Sequence, residues 1–70
     1  GDKADMRAVI SYCQNNSEVF NSLNKICSRL EKKYGWELVI FDPEEYSFKR
    51  AEGNNWHRVS SKHVMSVCDA

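Results

Sequence analysis

The chain has little of the material from which small catalytic or ligand-binding motifs are made. Its three glycines stand at 1, 35 and 53 and never cluster, so no glycine-rich loop is available to cradle a phosphate with successive backbone N–H groups. Its three cysteines, Cys13, Cys27 and Cys68, include no Cys-x2-Cys pair, which removes the usual signature of structural zinc. Three is also too few, and odd, for the disulfide framework of a small secreted domain, so free thiols in a reducing, intracellular and cytoplasmic setting are expected. The longest apolar run, Leu38 to Phe41, is four residues, far short of the ~20 that cross a bilayer. Neither sign of charge is in excess, with ten Lys and Arg against ten Asp and Glu. This argues against nucleic acid, whose affinity comes largely from surplus cations that displace counterions. The opening Gly1-Asp2-Lys3-Ala4-Asp5 lacks the basic-then-apolar order of a secretion signal, and a domain excised from a longer protein would begin in the same way.

What is present suits a folded globule. A 41% hydrophobic and 29% charged composition lies well away from the low-hydrophobicity, high-charge pattern of disordered chains. Seventy residues bury only about 60% of the unfolded surface, so one domain spanning 1–70 is expected, with too little material for two cores.

The hydrophobic periodicity predicts an α+β fold. Met6, Val9, Ile10 and Cys13 fall at i, i+3, i+4 and i+7, giving a first helix over about 5–14. Asn15, Asn16 and Ser17 interrupt it with side chains that favour turns and caps. Phe20, Leu23, Cys27, Leu30 and Tyr34 then predict a second helix over 17–34, closed by Lys32, Lys33 and Gly35. Beyond Gly35 the period becomes two. Strands are expected over 36–41, 46–50 and 56–60, separated by the Asp42-Pro43 stop and the Glu52-Gly53-Asn54-Asn55 turn. The segment 61–69 reads both ways. Val64, Val67 and Cys68 suit a short helix, His63, Met65 and Val67 a fourth strand, and the strand is the favoured reading. The architecture is thus a two-helix hairpin on a small antiparallel sheet of three or four strands, in the order α-α-β-β-β with a strand or short helix last.

No constellation reaches the density of a reactive centre. His57 and His63 with the cysteines have the wrong spacing for a metal, and Glu44 and Glu45 lie in a turn, where solvated charge is the simpler reading than acid–base catalysis. Neither enzyme activity nor a cofactor or metal is expected. The run Glu31-Lys32-Lys33-Tyr34 leading into a Trp-containing strand resembles dynein light chains of the small cargo-adaptor type. That resemblance covers this junction alone. Pro43 and the charged pair after it depart from the family's pattern, and it assigns no functional residue.

The expected function is a non-catalytic protein-protein interaction or assembly domain, with a protein partner or a second copy meeting Val39, Phe41, Tyr46, Trp56 and Met65. These apolar groups exceed what a thin core can cover, and a dimer would use the sheet side or edge, Phe41 included, because the second helix is committed to the core. The alternative is a single-stranded nucleic-acid module on the 46–62 hairpin, where Lys49, Arg50, Arg58 and Lys62 surround aromatic side chains. No membrane partner is expected.

Overall fold

The computed structural model describes residues 2–16 and 21–69. In chain order the elements are α1 (Asp2–Asn16), α2 (Leu23–Tyr34), β1 (Val39–Asp42), β2 (Ser47–Glu52), β3 (Asn55–Arg58) and α3 (Ser61–Cys68). The strands form an antiparallel sheet in the order β1-β2-β3. Two helices pack on a three-stranded sheet, as the periodicity predicts.

α1 presents the expected face, with Met6, Val9, Ile10 and Cys13 all buried. It runs on through Asn15 and Asn16 rather than stopping before them, because the Asn16 side-chain amide turns back and donates to the Tyr12 carbonyl at 2.9 Å. The asparagine supplies a partner to a terminal carbonyl the helix would otherwise leave open. The expected start of the second helix at 17–20, Phe20 included, lies outside the described residues. From Leu23 onward α2 buries Ile26, Cys27 and Leu30, and Gly35 closes it with φ +70°, the left-handed conformation that glycine adopts without a Cβ clash.

β1 starts at Val39, three residues later than expected. Trp36 leaves the strand direction to stack on the Tyr34 ring, centroids 4.7 Å apart, and the Val39 N–H donates to a Glu31 carboxylate oxygen at 2.8 Å. Tyr46, expected inside the second strand, instead closes the preceding turn with φ +52°. The Asp42 carboxylate nucleates that turn by accepting from the backbone N–H of Glu44 at 2.8 Å and of Glu45 at 3.3 Å. The Tyr46 ring is held edge-on to Phe41 at 5.3 Å and under the Arg7 guanidinium at 4.8 Å. These contacts support a backbone conformation unfavourable for a bulky residue. The hairpin to β3 turns at Gly53, φ +63°.

The segment 61–69 is helical, which corrects the favoured strand reading. Ser60 is its N-cap, its side-chain oxygen accepting from the His63 N–H, and Val64, Val67 and Cys68 turn one buried face toward α1 and α2. A fourth strand would have buried His63 with Met65 instead.

Cys13 and Cys68 form a disulfide between α1 and α3, with Cα atoms 5.3 Å apart. This corrects the expectation of three free thiols; only Cys27 remains a buried thiol. The Tyr12 hydroxyl donates to the Asp69 carboxylate at 2.9 Å, a second tie between the same two helices.

Candidate interaction surface

Opposed residues of an antiparallel sheet share a face, so the register sorts the side chains. Val39 opposite Arg50, Phe41 opposite Phe48 and, across the next ladder, Arg50 opposite His57 lie on one side. Val39, Phe48 and the neighbouring Val59 are buried there in the common core with the helices, and Phe41 packs partly against it. Ile40 opposite Lys49, Lys49 opposite Arg58 and Ala51 opposite Trp56 lie on the other side. Leu38 joins that second side, because its carbonyl accepts from the Ala51 N–H at 2.8 Å and extends the β1 ladder by one residue.

The result is an apolar row, Leu38, Ala51 and Trp56, running across the outer face with Ile40 beside it. Leu38 is 44% exposed, Ile40 38% and Trp56 49%. Such side chains in one patch are a feature of docking surfaces, whereas scattered ones are not. At the opposite end of the face, opposite Asp42, Ser47 is buried. A bank of ion pairs separates the two ends. The Lys49 ammonium pairs with Asp42 at 3.0 Å and with Glu45, and Arg58 reaches Glu45 at 3.5 Å. Hydrogen bonding from Lys49 holds the Asp42 and Glu45 carboxyls below their ordinary range, and the same bonds raise the Lys49 ammonium.

The five residues expected to form the interaction surface do not share an exposed face: four of them gather in or against the core instead. Val39 is 3% exposed and belongs to the core. Phe41 lies on the inner side, edge-on to Phe48 at 5.0 Å. Met65 packs against the core from α3, and Tyr46 occupies the turn. Trp56 alone stands on the open outer face. Leu38, Ile40 and Ala51 were the residues missed. Their period-two spacing is visible in the sequence, but Leu38-Val39-Ile40-Phe41 offers equally apolar sets to both faces. What decides between them is the Glu31 carboxylate anchoring the Val39 N–H, an interaction no strand pattern encodes.

The alternative nucleic-acid residues are brought together only in part, Lys49 and Arg58 being cross-strand neighbours on the outer face. Lys49 is clamped between two carboxylates, Arg50 donates to Glu52 at 2.8 Å and lies over the Trp36 ring at 5.2 Å, and Arg58 pairs with Glu45. Lys62 stands apart on α3. Phe48, a candidate base-stacking ring, is fully buried. No family model matches the chain, and neither curated proteins nor solved structures gave a match.

Reactive groups are few. Burial, reinforced by the Glu31 charge, pushes the Cys27 thiol up to about 11, so the attacking thiolate is scarce at neutral pH. The Nδ1 atom of His63 is 3.1 Å from Ser60 Oγ, and its ring lies edge-on to Tyr34 at 4.8 Å and Trp36 at 5.3 Å. The pair serves the α3 cap. Among the described residues no three His, Cys, Asp or Glu side chains converge as a metal site would require.

Proposed function

We propose that this chain is a non-catalytic protein-interaction domain whose docking surface is the outer face of the sheet. The observation that carries the reading is the row formed by exposed Leu38 and Trp56 with half-buried Ala51 between them and exposed Ile40 beside it. The two edges of the sheet differ in a way that suits an added strand. On β1 the outward Val39 N–H is already occupied by Glu31, a device that blunts an edge. On β3 the ladder turns the backbone of Asn55 and His57 toward β2 and that of Trp56 away from it. An extended segment of a partner protein, or of a second copy, pairs with the Trp56 backbone and lays its apolar side chains along the row, in the manner of strand addition.

The compartment belongs to the same proposal. Cys27 as a free buried thiol is compatible with the cytoplasmic setting expected from cysteine number, but the Cys13–Cys68 bond favours an oxidising one, because cytosolic thiols are kept reduced.

Trp56 reports on its own occupancy. With Trp36 replaced by Phe, its emission should shift to the blue as concentration rises in a sedimentation series, or when a binding protein isolated from extract is added. Trp56→Ser and Leu38→Ser should abolish association. A strict monomer that retains no protein partner, and in which Trp56 emission never moves, would sink the reading.

A further inference from the structure

One charged region takes no part in the sheet surface. On α2 the cations Lys25, Arg29, Lys32 and Lys33 follow each other at intervals of four, three and one, a single stripe that flanks the buried Ile26, Cys27 and Leu30. An open cleft of about 350 Å³ lies against it, lined by Arg29, Lys32 and Lys33 with Val67 of α3 as the apolar component. Arg29 stands three and four residues from the two lysines, spacings at which like charges destabilise a helix. Lys32 and Lys33 gain from the carbonyl end of α2, but Arg29 is a turn too early for that benefit.

Among the described residues no acid forms an ion pair with these cations. Glu31, the one carboxylate of α2, is spent on the Val39 N–H. Asp69, at the end of α3, accepts from Tyr12. None of the ion pairs described above includes a residue of the cleft. The cleft is also partly fixed in advance, since the Lys33 ammonium donates to the Ser66 carbonyl at 3.2 Å and the Tyr34 hydroxyl is 2.6 Å from Ser66 Oγ. These bonds hold the α2 and α3 walls together and place one cation at the rim.

We infer that the cleft between α2 and α3 is a binding site for a phosphate monoester, borne by a small molecule or by a phosphorylated side chain. Three cations match a group carrying close to two negative charges at neutral pH better than a single carboxylate. The Arg29 guanidinium offers the planar fork that grips two phosphate oxygens at once, Lys32 and Lys33 add point charges, and Val67 meets the apolar part of the ester. The volume admits one such group, not a strand. Tyr34, the ring nearest Lys33, is stacked on Trp36, which leaves no base-stacking platform at the lining.

The test is a titration of the intact, isotopically labelled chain at low salt, followed by backbone amide shifts, with four probes. These are phenyl phosphate, benzoate, a short phosphotyrosine peptide and a single-stranded oligonucleotide. Phenyl phosphate should give saturable shifts confined to 29–33 and 64–68 and bind about tenfold more tightly than benzoate. Arg29→Gln and Lys32→Gln, both at exposed positions, should each weaken it about tenfold, Arg29→Lys less, and Lys49→Gln not at all. A peptide that binds more tightly than phenyl phosphate identifies a phosphorylated side chain as the source; equal affinity identifies a small molecule. Equal binding of benzoate and phenyl phosphate would overturn the inference, as would shifts indifferent to Arg29→Gln and Lys32→Gln. It would fall equally if the oligonucleotide bound more tightly than either phosphate with a steep salt dependence, because a strand would then be the occupant.

Discussion

The two faces of the sheet are built from residues that look alike in sequence and do opposite things. Val39, Phe41 and Phe48 face the helices, while Leu38, Ile40, Ala51 and Trp56 face away. Either set could have been the core, since each supplies apolar groups of similar volume at period two. Helix α2 settles the choice from outside the sheet. Its buried Ile26, Cys27 and Leu30 demand an apolar partner, and Glu31 on the same helix fixes β1 in one rotation by taking the Val39 N–H. A one-residue slip would exchange the faces entirely. The outer set is therefore the remainder after folding has used what it needs, and it is the surface on which the proposed docking rests.

The sharpest way to break the comparison is to truncate one residue on each face. Phe48→Ala removes a fully buried ring and should cost about 3–5 kcal/mol of stability by urea denaturation. Ile40→Ser on the outer face should change stability by no more than about 0.5 kcal/mol while reducing association in sedimentation. Phe41, half-buried on the inner side, should behave as a core residue, with Phe41→Ala lowering the denaturant midpoint before it affects any dimer. If Ile40→Ser proves the more destabilising of the first pair, the register is displaced by one residue.

Reduction of the Cys13–Cys68 bond tests whether the inner face needs its third helix held in place. The link closes a loop of 55 residues in sequence separation, for which chain-entropy arguments give about 4 kcal/mol. Cys13→Ala with Cys68→Ala should lower the midpoint accordingly and loosen α3 first, seen as faster amide exchange over 61–68. Equal midpoints for oxidised and reduced protein would show that α1 and α3 pack without it.

The legible parts of this fold were those written into a single element. The α1 face, the α2 stripe, the Gly35 cap and the Gly53 turn each follow from residues within a few positions of one another. What escaped prediction depends on contacts between distant elements. Cys13 and Cys68 carry no mutual signal, because their pairing requires α1 to lie on α3. Segment 61–69 satisfies both periods on paper, and only the Ser60 cap and burial against two helices make it helical. Tyr46 reads as a strand residue until Asp42 folds the turn beneath it. The candidate surface was half legible for the same reason. Trp56 could be named from its type and position, whereas the exposure of Leu38 and Ile40 follows from a helix carboxylate seven to nine residues upstream.

The smallest expected effect concerns the ion pairs that flank the outer row. Lys49 holds Asp42 and Glu45 below the ordinary carboxylate range, so the folded state binds protons there less readily than the unfolded chain. Their contribution is complete above the unfolded values, near pH 4, and disappears as pH falls through the depressed folded values. Lys49 is raised, so its share is complete below its ordinary value and disappears as pH rises through the elevated one. Between those limits the turn over 43–46 should be at its most stable. The groups are partly exposed at the surface, so salt should screen much of the effect. Following the Glu44 and Glu45 amides during acid titration should reveal the turn opening before the core unfolds, because Asp42 also accepts their hydrogen bonds. Lys49→Met should move that local opening to higher pH and leave global unfolding nearly unchanged. If opening and global unfolding coincide in both proteins, the ion-paired end of the outer face is part of the core's cooperative unit and the two faces are not energetically separate.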